Sequence, residues 1–380
     1  MRIGRTSIAM ILLLVAFTSL AVVSGRRAAV AQPVEPDDPY ILAHYYIWFD
    51  ATSWNRAKTD FPALGRYSSD EENTMRRHIE MAKEAGIDGF IVSWKSSAAL
   101  DSRLEKLVAI AEDLDFKLAI TYQGLDFNRD PLPVDRIQDD LNLFTEEFAP
   151  SPAFDLFEHP LVILTGTWEF TDGHLAQITD ARGEDLLILA SEKSIDGYRR
   201  VAPFVDGNLY YWSSVNPETN PDYPLKLQQM GDAVREDGGI WIAPAAPGFD
   251  ARLVGGTQVV ERREGETLRS EWQGALSSLP AAVGIISWNE FSENTHIEPS
   301  LENGSAALNV VADLTGSPRP SAVDFDSSAP EGPPRFSVTR FLAIALFLSA
   351  IGWSLYYIVR TRLRQKRGER AVQESVDRAD

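Results

Sequence analysis

The sequence predicts an α/β fold, a (β/α)8 TIM barrel, and two observations predict it. Eight short apolar runs recur along the chain, and segments with helical character separate them. Most of the runs are continuously apolar rather than alternating, which is typical of parallel strands covered on both faces. An open doubly wound sheet is the alternative, although no Gly-x-Gly-x-x-Gly follows the first run, as a nucleotide-binding version would require.

The chain contains eight predicted strands and one helix that is well defined by its sequence pattern. The predicted strands are residues 41–48, 89–94, 116–122, 161–165, 186–190, 207–212, 239–244 and 284–288. Before the second strand, Ser69 and Glu72 form a Ser-x-x-Glu capping box, which predicts a helix start. Gly86 predicts its end, because a glycine readily takes the positive φ wanted there. The apolar stripe of this helix consists of Met75, Ile79, Ala82 and Ala85. Strand, helix and strand at this spacing predict right-handed crossovers.

The amino-terminal residues have the layout of a secretory signal. An apolar stretch at residues 8–23 follows two arginines, and the small residues 29–31 come after it. This pattern predicts a signal peptide over residues 1–31. Arg26 and Arg27 interrupt the expected cleavage region, which leaves an uncleaved anchor as the alternative.

The carboxyl-terminal residues predict a membrane anchor. Residues 341–359 carry no charge and are long enough to cross a hydrocarbon core of about 30 Å. The basic residues of the tail 360–380 follow at once, which predicts a cytoplasmic tail. Residues 315–340, rich in proline, serine and acids, predict an extended stalk. We therefore expect a single-pass protein of the cell membrane, with a barrel domain over residues 32–314 on the extracytoplasmic side.

Composition and missing motifs exclude several classes of function. The chain has 55 acidic and 36 basic residues and no cysteine. The acidic balance argues against a nucleic-acid partner, and the absence of cysteine excludes disulfides and thiolate chemistry. The five histidines form no His-Glu-x-x-His, and no Gly-x-Ser-x-Gly is present, so neither a zinc site nor an esterase is expected. We expect no cofactor and no metal ion.

A cluster of carboxylates follows the last predicted strand, in Ser287–Pro299. A (β/α)8 barrel places its chemistry where its strands end. Cleavage of a glycosidic bond requires one carboxyl group that holds a proton and one that is ionised, and two neighbouring carboxyls help because each charge raises the pKa of the other. Glu290 and Glu293 are the candidate catalytic pair. A solvated acidic loop is the alternative interpretation.

Aromatic and polar residues end several of the other predicted strands. Such residues would line a mouth that suits a sugar, whose ring has apolar faces and whose hydroxyls form hydrogen bonds. The strand-end candidates for substrate binding are Tyr46, Trp48, Trp94, Gln123 and Tyr211. His296, within the carboxylate cluster, is expected either to contact the sugar or to brace the loop. We expect the partner to be an oligo- or polysaccharide.

The cluster also resembles a known family. Residues 287–299, Ser-Trp-Asn-Glu-Phe-Ser-Glu-Asn-Thr-His-Ile-Glu-Pro, resemble the signature of the endo-α-mannosidases of glycoside hydrolase family 99, roughly Ser-[Phe/Trp]-Asn-Glu-Trp-His-Glu-Gly-Thr-Gln-Ile-Glu. Residues 45–48, 64–69 and 247–250 are similar to other segments of that family. The resemblance spans about residues 41–300, and its specific matches lie at the two ends.

This resemblance implies a retaining glycosidase that acts inside α-linked chains without a metal. By position, Glu290 would be the base that takes the proton of the sugar 2-hydroxyl, so that an anhydro-sugar forms in place of a glycosyl-enzyme. Glu293 would protonate the leaving oxygen and later activate water. The residues that the resemblance places in the sugar subsites are Tyr46, Trp94, Tyr211, Asn289 and Glu298.

Departures from the family pattern leave other functions open. The family's Trp-His-Glu-Gly is replaced by Phe291-Ser292-Glu293-Asn294, so the histidine beside the second acid is absent. A non-catalytic glycan-binding ectodomain on the same barrel is therefore an alternative to the hydrolase. A lyase or transferase is a third possibility. An α-mannoside is one substrate among several α-linked glycans.

Overall fold

The computed structural model describes residues 38–56, 58–180, 182 and 186–321. The predicted signal peptide (1–31), the stalk beyond residue 321, the predicted anchor (341–359) and the tail (360–380) lie outside the described residues. Within the described ranges, no helix combines the length and the apolar character that crossing a membrane requires.

Eight parallel strands close into a barrel in the order β1-β10-β7-β6-β5-β4-β3-β2, which confirms the predicted fold class. The pairing of β1 with β10 closes the ring and rules out the open doubly wound sheet. The barrel strands are β1 Tyr40–Tyr46, β2 Gly89–Trp94, β3 Lys117–Gln123, β4 Leu161–Thr165, β5 Leu187–Ala190, β6 Gly207–Leu209, β7 Ile240–Ala245 and β10 Ala282–Ile285. A two-stranded hairpin, β8 Phe249–Asp250 with β9 Val259–Val260, follows β7.

The predicted and observed ends of the last strand differ for a local reason. The sequence predicts a strand over residues 284–288, whereas β10 ends at Ile285. The Ser287 N–H donates to the Thr295 carbonyl at 2.9 Å, so Ser287 pairs with the loop that follows it. The N–H groups of Ile286 and Trp288 still donate to the Ala245 and His44 carbonyls of the neighbouring strands, each at 2.8 Å. The carboxylate cluster therefore begins at the mouth of the barrel.

Helices cover the outside of the barrel. They are α1 Glu72–Glu84, α2 Ala98–Asp113, α3 Val134–Leu143, α4 Asp172–Asp180, α5 Ile195–Val201, α6 Tyr223–Glu236, α7 Glu266–Ser277 and α8 Ala306–Thr315. The apolar stripe of α1 is buried, and Gly86 follows it with φ +77°, both as predicted. The capping box is wrong, because the Ser69 hydroxyl accepts the Phe49 N–H at 3.2 Å and leaves the helix start without a side-chain cap.

The period-two alternation of the strands decides which side chains reach the mouth. On β1, Leu42 belongs to the apolar cluster that fills the barrel interior, so His44 and Tyr46 face inward as well. On β2, Ile91 belongs to the same interior cluster, so Trp94 faces outward toward the helices. Because apolar side chains fill the interior, only the last inward residues of each strand are available to a ligand.

Candidate active site

The loop after β10 holds its two glutamates in a tight turn. The Ser287 hydroxyl accepts the Glu290 N–H at 2.8 Å. The Thr295 N–H donates to the Glu290 carbonyl at 3.2 Å, and the Ile297 N–H donates to the Ser287 carbonyl at 2.8 Å. These bonds fold residues 287–297 back on themselves, so the two glutamates lie on one turn directly above the end of β10.

Glu290 is a buried carboxyl with nearby donors. Its side chain is 7% exposed, and its Oε1 accepts the Ser292 N–H at 2.8 Å. Lys58, from the segment between β1 and α1, donates its Nζ to the Ser292 hydroxyl at 3.0 Å. Burial raises the pKa of Glu290, while the hydrogen bonds from Ser292 and the positive charge of Lys58 oppose that rise. The site therefore offers the ionised form of Glu290 both a hydrogen bond and a counter-charge.

Glu293 lies in a different environment on the same turn. Its side chain is half-buried, and its backbone carbonyl accepts the Asp250 N–H of the β8 strand at 2.8 Å. Burial, and then the negative charge of Glu290, raise the pKa of Glu293 to about 7, although the positive charge of Arg129 opposes them. Near neutral pH this carboxyl holds a proton for a large part of the time, which is the state required of a general acid.

Three predicted rim residues lie with the glutamates. The hydroxyls of Tyr46 and Tyr211 are 2.8 Å apart, and the Tyr46 ring stacks on Trp48 with 4.4 Å between ring centroids. Burial raises the pKa of both tyrosines, and the charges of Glu290 and Glu293 raise it further, so both hydroxyls lie within electrostatic reach of the carboxyl pair. Trp48 is 43% exposed. The structure thus brings an accessible aromatic surface next to the carboxyls, and its role in binding sugar stays a prediction.

Gln123 also faces the mouth. It is the last residue of β3, and it shares the inward parity of Ala119, which lies in the interior cluster. Its side chain is half-buried. Its predicted contact with substrate stays a prediction.

Four predicted substrate-binding residues prove to be buried supports instead. Trp94 is 1% exposed, packs against the helical layer and donates its Nε1 to Asp101 at 3.0 Å, because the parity of β2 turns it outward. Asn289 is fully buried: its amide oxygen accepts the Tyr46 N–H at 2.8 Å, and its amide nitrogen donates to the Tyr46 carbonyl at 3.0 Å. Asn289 thus acts as a side-chain extension of the strand ladder, and it positions Tyr46.

The other two corrections concern His296 and Glu298. Each is 1% exposed, so neither is available to a sugar in this structure. His296 Nε2 lies 3.2 Å from the Asp60 carboxylate, and burial lowers the pKa of its imidazole to about 4. Glu298 accepts the Tyr67 hydroxyl at 2.9 Å and lies 3.1 Å from His78 Nε2. Of the two expectations for His296, bracing of the loop is the one that the geometry supports.

Sequence reasoning missed the residues that support the loop from a distance. Lys58, Asp60 and Tyr67 lie between β1 and α1, and each contacts the loop after β10 across more than two hundred positions. Arg129 follows β3, and its charge reaches Glu293. These residues belong to irregular segments without periodicity, and only Tyr67 lies in a segment, residues 64–69, that the family resemblance includes.

The described residues show no metal-ion site, and a recess elsewhere on the surface lies away from the two glutamates. No group of three or more histidine, aspartate or glutamate side chains in the described ranges is arranged to hold a metal ion. A surface recess of about 460 Å³ beside α3 and α4 is lined by Pro131, Leu132, Pro133, Val134, Asp135, His174 and Gln177. It contains neither glutamate, and we assign no chemistry to it.

The closed parallel barrel with two carboxyls at its mouth defines the class of glycoside hydrolase-like TIM barrels. The sequence model of glycosyl hydrolase family 71 matches residues 63–315, about two thirds of the chain, and the chain belongs to this family. The match includes both glutamates and all barrel strands except β1. A relationship to glycoside hydrolases is thereby confirmed, and the narrower assignment to family 99 stays a prediction.

Solved structures share the fold at low sequence identity. A family 99 endo-α-mannosidase of Bacteroides thetaiotaomicron, in complex with bis-tris propane, has a TM-score of 0.65 and 19% identity over 73% of this chain and 97% of that chain. A second structure of a family 99 endo-α-mannosidase from this organism has a TM-score of 0.62 and 18% identity over 77% and 93%. A glycoside hydrolase-like protein has a TM-score of 0.56 and 18% identity over 76% and 97%. No curated protein matches the chain.

Proposed function

We propose that this protein hydrolyses α-linked glycans at internal positions, with Glu290 as the base and Glu293 as the acid. The observation that carries the proposal is the contrast between two carboxyls on one turn. Burial raises the pKa of Glu290 too, but a hydrogen bond from Ser292 and the charge of Lys58 oppose this rise and favour its charged form. Glu293 has a pKa raised to about 7 by burial and by the Glu290 charge, which favours its protonated form.

The proposed reaction proceeds in two steps with retention of configuration. In the first step Glu290 takes the proton of the sugar 2-hydroxyl, whose oxygen attacks the anomeric carbon. Glu293 donates its proton to the glycosidic oxygen as that bond breaks, and an anhydro-sugar results. In the second step Glu293 takes a proton from water, whose oxygen attacks the anomeric carbon, and Glu290 returns a proton to the 2-oxygen. Both carboxyls recover their starting states, and one water is consumed.

The aromatic surface of Tyr46 and Trp48 supports a sugar as the substrate. Sugar rings present apolar faces, and Trp48 offers an exposed indole whose burial by such a face is favourable. Two of the similar solved structures are endo-α-mannosidases, so α-mannans are the first substrates to try, and α-glucans belong in the same panel.

The test compares the wild-type protein with Glu290→Gln and Glu293→Gln on α-linked oligosaccharides and polysaccharides, with new reducing ends as the readout. We expect Glu290→Gln to lower kcat/KM by about 1,000-fold, as for the loss of a general base. Glu105→Gln, on the exposed face of α2, is the matched control and should leave the rate unchanged.

The roles of the two glutamates can be separated with a glycosyl fluoride, whose leaving group needs no proton. Glu293→Gln should lose its activity on polysaccharide but still release fluoride in the first step, although the second step, in which Glu293 activates water, stays slow. Glu290→Gln should lose both activities. Full activity in Glu290→Gln would refute the proposed base. Binding of a glycan by the wild-type protein without new reducing ends would favour the non-catalytic ectodomain.

Stereochemistry and product size test the rest of the proposal. Proton NMR of the first products should show the α-anomer before mutarotation, and early products should be oligosaccharides of mixed length. An initial β-anomer would contradict retention, and release of single sugars from one chain end would contradict internal cleavage.

We also propose that residues 341–359 anchor the barrel to a membrane with the sugar-binding mouth outside the cytoplasm. The uncharged stretch and the basic tail that follows it support this proposal. The full chain should sediment with membranes after a carbonate wash, whereas a chain ending at residue 321 should not. Equal solubility of the two chains would contradict the anchor.

A further inference from the structure

Lys58 is a buried lysine whose hydrogen-bond partner is neutral. The residue is 6% exposed, and its Nζ donates to the Ser292 hydroxyl at 3.0 Å rather than to a carboxylate. Burying an ammonium group is unfavourable unless a negative charge nearby compensates. The nearest such compensation is Glu290, whose Oε1 accepts the N–H of the same Ser292. Ser292 therefore joins the lysine and the glutamate through one residue.

The buried charges around Glu290 balance when one carboxyl of the pair holds a proton. Lys58 supplies one positive charge from the segment after β1, and Glu293 is the second carboxyl of the turn. The hydroxyls of Tyr46 and Tyr211 face the pair from β1 and from the segment after β6, and burial keeps both neutral by raising their pKa. Buried Lys58, with one ionised and one protonated carboxyl, forms a neutral group. The exposed Arg129 acts on the half-buried Glu293 from outside this group.

The positive charge of Lys58 acts on the pKa of Glu290 rather than on that of Glu293. The Lys58 charge lowers the pKa of Glu290, and Arg129, from the loop after β3, acts on Glu293 instead. Burial lowers the pKa of Lys58 itself, the Glu290 charge raises it, and Arg56 lowers it. The ionised form of Glu290 and the charged form of Lys58 thus stabilise each other.

We infer that Lys58 is a positioning residue of the proposed reaction, whose ammonium group, held by Ser292, keeps Glu290 ionised while Glu293 holds the proton. The effect of Lys58 on the reaction rests on the proposed function. The effect of Lys58 on the ionisation of Glu290 does not. It assigns to the segment between β1 and α1 a part in deciding which glutamate is the base and which is the acid.

The first test needs no substrate. The full chain is labelled with ¹³C at the glutamate carboxyl carbons, the Glu290 resonance is identified by its loss in Glu290→Gln, and its titration is followed in wild type and Lys58→Met. We expect Glu290 to titrate about one pH unit higher in Lys58→Met, because the positive charge of Lys58 lowers the pKa of Glu290 and an opposite charge near a carboxyl has an effect of about that size. Lys58→Arg keeps the charge and should titrate as the wild type does.

The second test is the pH dependence of kcat/KM on the α-glycan that the wild-type protein cleaves fastest. The acidic limb reports the group that must be ionised, so in Lys58→Met this limb should move to higher pH by about one unit. Activity should fall about tenfold on the acidic side and recover as the pH rises. Lys117→Met, at the opposite end of the barrel, removes a lysine charge far from the site and should leave the profile unchanged.

The possible outcomes separate this inference from the proposed function. An unchanged Glu290 titration in folded Lys58→Met would overturn the inference, even if the protein proves to be a hydrolase. A raised titration together with no cleavage of any glycan by the wild-type protein would support the electrostatic role and refute the hydrolase. If Lys58→Met does not fold, Lys58→Gln, which removes the charge but keeps a polar group beside the Ser292 hydroxyl, should raise the Glu290 titration in the same way, and no change there would overturn the inference.

Discussion

Replacing Glu293 by glutamine should stabilise the protein at alkaline pH while removing its proposed acid. In the folded protein the Glu293 carboxyl has a pKa of about 7, above its ordinary value of 4.5, because of burial and the neighbouring Glu290 charge. The folded state therefore binds this proton more tightly than the unfolded chain does. Its contribution to stability is fully present below pH 4.5 and is lost as the pH rises through 7.

The magnitude follows from the difference between the two pKa values. One pKa unit corresponds to about 1.4 kcal/mol, so the full loss between pH 4.5 and pH 8 is about 3 kcal/mol. The Glu293 side chain is only half-buried, and contact with solvent reduces the expected value to about 2 kcal/mol. A glutamine has no proton to lose, so Glu293→Gln should unfold with a free energy about 2 kcal/mol higher than the wild type at pH 8 and nearly equal at pH 4.5.

Urea unfolding followed by tryptophan fluorescence measures this difference at the two pH values. Glu105→Gln, on the exposed face of α2, is the control and should change stability by less than about 0.5 kcal/mol at either pH. A Glu293→Gln protein that shows the same stability difference at pH 4.5 and pH 8, or that is less stable than the wild type at pH 8, would refute the reasoning. A gain in stability with a loss of activity is the relation expected for a residue kept for chemistry.

Two further predictions test the supports of the site. Asp60→Asn removes the charge that accepts hydrogen bonds from Asn303 and from His296, so the free energy of unfolding should fall by about 2 kcal/mol and kcat should fall with it. Unchanged urea unfolding would contradict the bracing role of Asp60. Trp48→Ala should raise KM several-fold with little change in stability, whereas Trp94→Phe should lower stability by about 1 kcal/mol with KM unchanged, since Trp94 lies in the buried helical layer. A raised KM in Trp94→Phe would show that its outward placement is wrong.

The strand pattern carried enough information for the barrel. Strand after strand, the apolar runs lie within two or three residues of the observed bounds, because a strand covered on both faces must be apolar throughout. The ends were less predictable. The run at residues 207–212 ends as a strand at Leu209, since its last aromatic residues belong to the loop at the mouth. An apolar run does not distinguish a strand residue from a buried loop residue.

Parity explains why one rim residue was misplaced. Tyr46 and Trp94 both end strands in aromatic residues, and the sequence treats them alike. Only the position of the interior cluster shows that Leu42 and Tyr46 share the inward face of β1, whereas Ile91 puts Trp94 on the outward face of β2. The inward and outward faces of a parallel strand are both apolar, so its sequence does not say which is which.

By itself, the sequence predicted the eight barrel strands, favoured a closed barrel over an open sheet and placed a carboxylate pair on the turn after the last strand, because those features depend on local patterns and on chain order. Only the tertiary structure gives the two carboxyls different environments, in which the pKa of Glu293 is raised to about 7. That difference depends on Lys58, Arg129 and burial, which come from distant segments and act through distances of a few ångströms. Electrostatic interactions fall steeply with separation and with exposure to water, and neither quantity can be read along a linear chain.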